Sequence, residues 1–304
     1  RSACNRCGNP PLPLMSDFVG STLAPALFAL LCWWFGTGAI LWLVRRPGRS
    51  LGLRMTGMSA LLLASLWGAW WSMGQPSVIG AYVAFASVIA MWGWHEFAFL
   101  SGVITGPRRE VLAPGSQGSA RFAQSLQAVL HHELVLAGNF GVLWLLQQGQ
   151  PSHVALCTFA LLWCMRLSAK LNLYFGVPEV GAQYLPEHLR YLASYFRSGR
   201  ISAFFIASVT VALVAWAWVV WLAFTGSVAM STGWVLLASL LGLAIIEHLL
   251  MVFPLPLQRL WGWAMRSSLS RGAVASVAVP AMPVPQVPVM PAVLVTAPIK
   301  SDQG

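Results

Sequence analysis

Seven apolar stretches of about 20 residues each, joined by turns as short as Gly74–Ser77, constrain this chain more than any other feature of it. In lipid every backbone N–H and C=O must be satisfied within the protein, so each stretch has to close its own hydrogen bonds as a helix. A hydrocarbon core of roughly 30 Å takes about 20 residues at about 1.5 Å per residue. The stretches are 23–44, 51–73, 78–104, 125–146, 154–175, 203–224 and 233–253. With 304 residues, 58% of them hydrophobic and 9% charged, and a mean hydropathy of +0.70, the chain has too little polar side chain to coat a soluble globule. The expected fold is an all-α polytopic membrane bundle of seven transmembrane helices, crossing a bacterial inner membrane.

Orientation follows from the loops. Arg45, Arg46, Arg49 and Arg54 follow the first stretch, Arg108, Arg109 and Arg121 the third, and Arg190, Arg197 and Arg200 the fifth. Arg259, Arg266, Arg271 and Lys300 follow the seventh, and the three intervening loops hold no Lys or Arg. Under the positive-inside rule the N-terminus lies outside and the C-terminus in the cytoplasm. The net charge of +10 is thus a matter of topology, because the basic residues sit in short loops and form no solvated nucleic-acid face.

Several segments lie outside the seven spans. Residues 1–14 precede Met15 and read as an upstream, disordered extension; Cys4 and Cys7 have the spacing of half a zinc ribbon, with no second half. Cys32, Cys157 and Cys164 lie in apolar runs, where cysteine behaves as a small hydrophobe. The first stretch ends in Arg45-Arg46 and not in a small-residue cleavage site, so it reads as an anchor. Near 185–198, Leu185, Leu189, Leu192 and Phe196 predict a short amphipathic helix after Pro186, lying at the cytoplasmic interface, across the mouth of the bundle, or on a partner helix. Residues 264–304 read as a Pro/Val/Ala-rich disordered cytoplasmic tail, since six prolines from Pro280 to Pro298 remove donors that lipid cannot replace.

Ionisable residues inside a span cost about 2.5–3.5 kcal/mol each on insertion scales, so each needs a partner or a task. The third stretch carries His95 and Glu96, the fourth His131, His132, Glu133 and Asn139, the fifth Arg166 and Lys170, and the seventh Glu247 and His248. All fall in the cytoplasmic half under the topology above. Arg166 and Lys170, four residues apart, share a helix face and can pair with Glu96, Glu133 or Glu247. One reading is a buried ion-pair and hydrogen-bond network that fixes helix register. A second is tetrapyrrole handling, with His95, His131, His132 or His248 as ligand to the central metal of a bacteriochlorophyll or haem beside Trp92, Trp94 and Trp163. A third is a carboxylate-bridged metal site, although adjacent Glu and His point about 100° apart on a helix and so offer one ligand per helix. The sequence has no Walker-type loop, no HExxH and no Lys in the last stretch for retinal attachment, and no pair of Gly/Pro-broken spans marks a transported substrate.

The stretch Ser168-Ala-Lys-Leu-Asn-Leu-Tyr-Phe-Gly-Val-Pro178, followed by Leu185-Pro-Glu-His-Leu-Arg-Tyr-Leu-Ala-Ser-Tyr-Phe-Arg197, resembles the signature region of the PuhE-type photosynthetic complex assembly proteins of phototrophic bacteria. The groups Trp94-His95-Glu96, His131-His132-Glu133-Leu134 and Glu247-His248 fit the same pattern, so the resemblance runs over roughly 15–263. It implies an inner-membrane factor that assists assembly of the reaction centre and its core antenna and influences bacteriochlorophyll supply, with those subunits as partners. It implies no reaction and carries over no catalytic residue. The contrasting expectation is a membrane-embedded metal-dependent enzyme acting on a tetrapyrrole or a lipid-soluble substrate.

Overall fold

The computed structural model describes residues 19–46, 50–182, 185–225 and 227–253. A π turn, Val19–Leu23, leads into α1 (Ala24–Arg45); α2 (Leu51–Met73), α3 (Val78–Leu100), α4 (Gly118–Leu146), α5 (Val154–Phe175), α6 (Ala203–Thr225) and α7 (Val228–Leu249) follow. Among the described residues the only β pairing is an isolated bridge between Val177 and Ser198. The expected extension at 1–14 and tail at 264–304 lie outside the described residues.

The chain is an all-helical membrane protein, and among the described residues six of the seven α-helices are long and apolar enough to cross a bilayer. The exception is α2, which has the length but is diluted by Arg54, Thr56, Ser59, Ser65 and Ser72. Two of these explain themselves. Arg54 donates to the Leu43 carbonyl at 2.6 Å and to the Arg46 carbonyl at 3.3 Å, satisfying groups that the end of α1 leaves open. Ser65, Gly68, Ala69 and Ser72, at i, i+3, i+4 and i+7, form a small-residue stripe that is buried. Against it α3 comes so close that a Cβ on Gly68 would lie 2.5 Å from the Ser87 hydroxyl.

Three expected boundaries move. The third stretch stops at Leu100 and not at 104, because Gly102 takes φ +76° and closes a Schellman turn, its N–H bonding the Phe99 carbonyl and that of Val103 the Ala98 carbonyl. The fourth begins at Gly118, seven residues before 125, since its polar first turns are held from outside: Arg121 donates to the Tyr174 and Tyr195 carbonyls at 3.0 and 2.8 Å. The seventh runs Val228–Leu249, shifted towards its N-terminus relative to 233–253.

Four helices form the inner bundle and run the same way. Phe28 meets Tyr82 and Phe85 (α1 with α3), Trp92 meets Phe159 (α3 with α5), Ser168 meets His248 (α5 with α7), and Ala29 packs with Leu236 and Leu240 (α1 with α7). The antiparallel helices α2, α4 and α6 pack around them, each returning the chain through a short turn or a longer connection. Two ends result, one where α1, α3, α5 and α7 start and one where they finish.

The finishing end is closed by two connections. In the 101–117 loop, Thr105 is buried and its carbonyl accepts from the His132 N–H, in the interior of α4, at 2.9 Å. The expected amphipathic helix near 185–198 is a 3-10 helix, Glu187–Tyr195. Its buried residues are accordingly Leu189, Leu192 and Tyr195, spaced by three, with Leu185 and Phe196 only partly covered. They pack on Phe99 and Ala128, across the ends of α3 and α4. Arg108 ties loop to helix through Nε to the Tyr195 hydroxyl at 2.9 Å, and that hydroxyl donates to the Glu110 carbonyl at 2.8 Å.

Candidate functional site

The polar residues of the spans meet in one layer near the finishing end, organised by α5. Trp163, Arg166 and Lys170, at i, i+3 and i+7, share one face of that helix. Arg166 reaches α3 and pairs with Glu96, Nη2 to Oε2 at 2.8 Å; Lys170 reaches α4 and pairs with Glu133. Glu133 also accepts from the Trp163 indole N–H at 3.1 Å. Glu247, on α7, accepts from the Trp33 indole of α1 at 2.7 Å and keeps an exposed surface. Arg166, with 40% of its side chain exposed, feels the Glu96 carboxylate most strongly and that of Glu247 as well. Glu96 is only 13% exposed, and its second oxygen is buried without a partner.

The histidines divide. His95 is buried on α3, with Nε2 2.7 Å from the Asn139 amide of α4 and Nδ1 unpartnered. His248 is buried on α7. Its Nδ1 lies 2.8 Å from the Ala244 carbonyl, an acceptor only, so Nδ1 carries the proton and Nε2 accepts from the Ser168 hydroxyl at 3.0 Å. Ser168 in turn accepts from Asn172 at 3.5 Å, and Asn172 donates to Ser208 of α6 at 3.1 Å. His132 is buried against the Phe99 ring, with centroids 4.6 Å apart, and the Lys170 ammonium lies 5.5 Å from that ring. His131, one residue earlier and so about 100° around α4, is exposed and stands apart from the layer.

The structure brings Glu96, Glu133, Asn139, Arg166, Lys170, Glu247, His95, His132 and His248 together in the layer, and leaves His131 outside it. Sequence reasoning missed Trp33, Ser168, Asn172 and Ser208. Asn172 and Ser168 carry a signal only in their spacing of four from each other, on the side of α5 away from Arg166 and Lys170; Trp33 carries none that sets it apart from the other 15 of the chain's 16 tryptophans.

Chemically, the layer is a set of cross-helix charge pairs and hydrogen bonds. Among the described residues no three His, Cys, Asp or Glu side chains converge as metal donors, because the carboxylates turn to a cation or an indole instead. The carboxylate-bridged metal reading therefore finds no donor group here.

Helices long and apolar enough to cross a bilayer, with a layer of charge pairs and hydrogen bonds running between them, define a polytopic membrane protein. The chain belongs to the family described as "Protein of unknown function (DUF3623)", whose pattern matches residues 19–271 and so takes in the whole layer. It is 40% identical over 260 residues to an "Uncharacterized 30.4 kDa protein in puhA 5'region" of Rhodobacter capsulatus, an alignment covering 84% of this chain and 95% of that protein. No solved structure matches it.

Proposed function

We propose that the protein is a PuhE-type assembly factor for the photosynthetic reaction centre and its core antenna, working in a bacterial inner membrane through helix contacts. One observation carries this reading: the 40% identity to a protein in the puhA 5' region extends over nearly the whole of that relative. The surface of the fold is compatible with it. Along α6, Val211, Val214, Trp218, Trp221 and Phe224 recur at helical spacing and are all exposed, a stripe that lipid or a partner's helix can cover. Transient bacteriochlorophyll handling is the finer part of the proposal. Of the four candidate histidines, His95, His132 and His248 are buried and His131 is exposed, so His131 is the one of them open to such a pigment.

Affinity-tagged full-length protein, purified in mild detergent from phototrophically grown cells, is expected to bring down reaction-centre and core-antenna subunits. Recovery of none of them, together with normal levels of both complexes in a strain lacking the gene, would sink the proposal. In the same reading α2 also crosses the membrane, which makes seven spans, with the N-terminus outside and the C-terminus cytoplasmic. A C-terminal alkaline phosphatase fusion is then expected to be inactive and a fluorescent-protein fusion at the same place to glow; the reverse pair would overturn the orientation.

A further inference from the structure

His248 and Ser168 form a pair whose geometry does more than join two helices. Nδ1 of His248 is committed to the Ala244 carbonyl at 2.8 Å, so the ring is fixed in one tautomer and Nε2 is left as a base. The Ser168 hydroxyl donates to that nitrogen at 3.0 Å. A hydroxyl held on an imidazole that a third group orients is the arrangement that activates serine as a nucleophile. A donor stands beside it. Asn172, one turn further along α5, brings Nδ2 to 3.5 Å from Ser168 Oγ, the limit of a hydrogen bond. The oxyanion of a tetrahedral adduct hangs from the carbon that Oγ attacks, so this N–H is placed to turn to it. Oδ1 of the fully buried Asn172 has no hydrogen-bond partner, and is an acceptor for a hydroxyl brought in beside Ser168.

Access is from the side. His248 and Asn172 are buried, but Ser168 is partly exposed, and Cys164, Leu167 and Phe175 around it on α5 are exposed. Across the seam α6 contributes Ser208, also partly exposed, and Phe204, whose ring meets that of Phe175 with centroids 5.0 Å apart. Ser168 thus lies at the edge of the α5 surface that faces the bilayer. It stands seven residues before the end of α5, and Ser208 five after the start of α6, roughly 8–10 Å inside the finishing end. The polar layer of a bilayer is roughly 5–8 Å thick on each side, so this is the depth at which head groups give way to hydrocarbon. The carboxylic esters of membrane lipids lie at that boundary.

We propose that Ser168 and His248 are the nucleophile and base of an ester hydrolase whose substrate is a long-chain carboxylic ester reaching Ser168 sideways from the bilayer. Ser168 Oγ bonds to the ester carbonyl carbon as its proton passes to His248 Nε2, and Asn172 Nδ2–H holds the oxyanion. The carbonyl re-forms, the bond to the alcohol oxygen breaks, and the alcohol leaves with the proton from Nε2. Water, giving a proton to the same Nε2, then attacks the acyl carbon on Ser168. The carboxylic acid is released and the proton returns to Ser168 Oγ. This activity is independent of the assembly role proposed above.

The test treats full-length protein in lipid nanodiscs with a long-chain alkyl fluorophosphonate, which phosphonylates an activated serine with loss of fluoride, and locates the label by peptide mass spectrometry. Label on Ser168 is expected, together with hydrolysis of p-nitrophenyl laurate. Ser168→Ala is expected to abolish both with a melting temperature close to that of the parent protein. His248→Gln is expected to slow both by about a hundredfold or more, the contribution of a general base. Asn172→Ala is expected to lower kcat for the laurate ester by about a hundredfold with KM little changed, the mark of a donor used in the transition state. An unlabelled protein, a label on another residue, or a labelling rate that folded His248→Gln leaves unchanged overturns the proposal. If His248→Gln does not fold, the unsubstituted protein decides: label on Ser168 with turnover of the laurate ester supports the proposal, and the lack of either overturns it.

Discussion

Lys170→Met is expected to lower the unfolding free energy by about 3–5 kcal/mol, the range found when one partner of a buried ion pair is removed and the other is left uncompensated. The pair fits that case: the Lys170 side chain is 22% exposed and Glu133 14%, between α5 and α4. Denaturant titration in detergent, followed by tryptophan fluorescence, measures it. Adding Glu133→Gln to Lys170→Met is expected to recover most of the loss, because no charge is then stranded and the Trp163 N–H retains an acceptor. Arg166→Met is expected to be destabilising for the same reason, since it strands Glu96, whose side chain is 13% exposed. A change below about 1 kcal/mol for Lys170→Met would mean that the layer does not hold the helices together.

The second large effect concerns a backbone. Gly106 lies against α4 so closely that a Cβ would stand 2.0 Å from the Gln127 carbonyl oxygen and 2.5 Å from the Ala128 carbonyl carbon. Both are helix backbone and cannot swing away as a side chain end would. Gly106→Ala must therefore lift the loop off α4, breaking the bond from His132 N–H to the Thr105 carbonyl and uncovering buried Thr105, at a cost of about 3 kcal/mol or more. Gly115, in the same loop, has φ +75° and open space around its Cα, so Gly115→Ala pays only the left-handed backbone strain of about 1–2 kcal/mol. Membrane accumulation and melting temperature of the two variants should differ in that order; equal behaviour would show that the loop does not dock on α4.

What the sequence revealed and concealed has a physical pattern. Helix positions were legible to within about seven residues, and 51–73 and 154–175 to the residue, because the cost of leaving backbone unbonded in lipid allows little else. The depth of the polar layer was legible for the same reason, since residues such as Glu96 and Lys170 are too costly to strand. Which Glu takes which cation was not, because it depends on how α5 is rotated between α3 and α4, and that is set by packing around Phe159 and Trp92. His131 lies outside the layer because the helix turns it about 100° from His132, and its place depends on how α4 is rotated, which the sequence does not set. The segment at 185–198 has apolar spacings that fit 3.6 and 3.0 residues per turn nearly equally, and only its packing on Phe99 selects the tighter coil.

The bond between Arg108 and the Tyr195 hydroxyl joins residues 87 apart in the chain. At a bacterial elongation rate of about 5–20 residues per second, the 101–117 loop therefore leaves the ribosome roughly 4–17 s before the residue that closes it exists. Until residue 195 is made, Leu112, Phe99 and the Arg108 guanidinium lack their eventual cover, although α3 and α4 both precede it in the chain. The cover over the ends of α3 and α4 thus forms only after residue 195 is made, and stalling translation before that residue should leave a chain whose 101–117 loop is open to protease while its first helices are already protected.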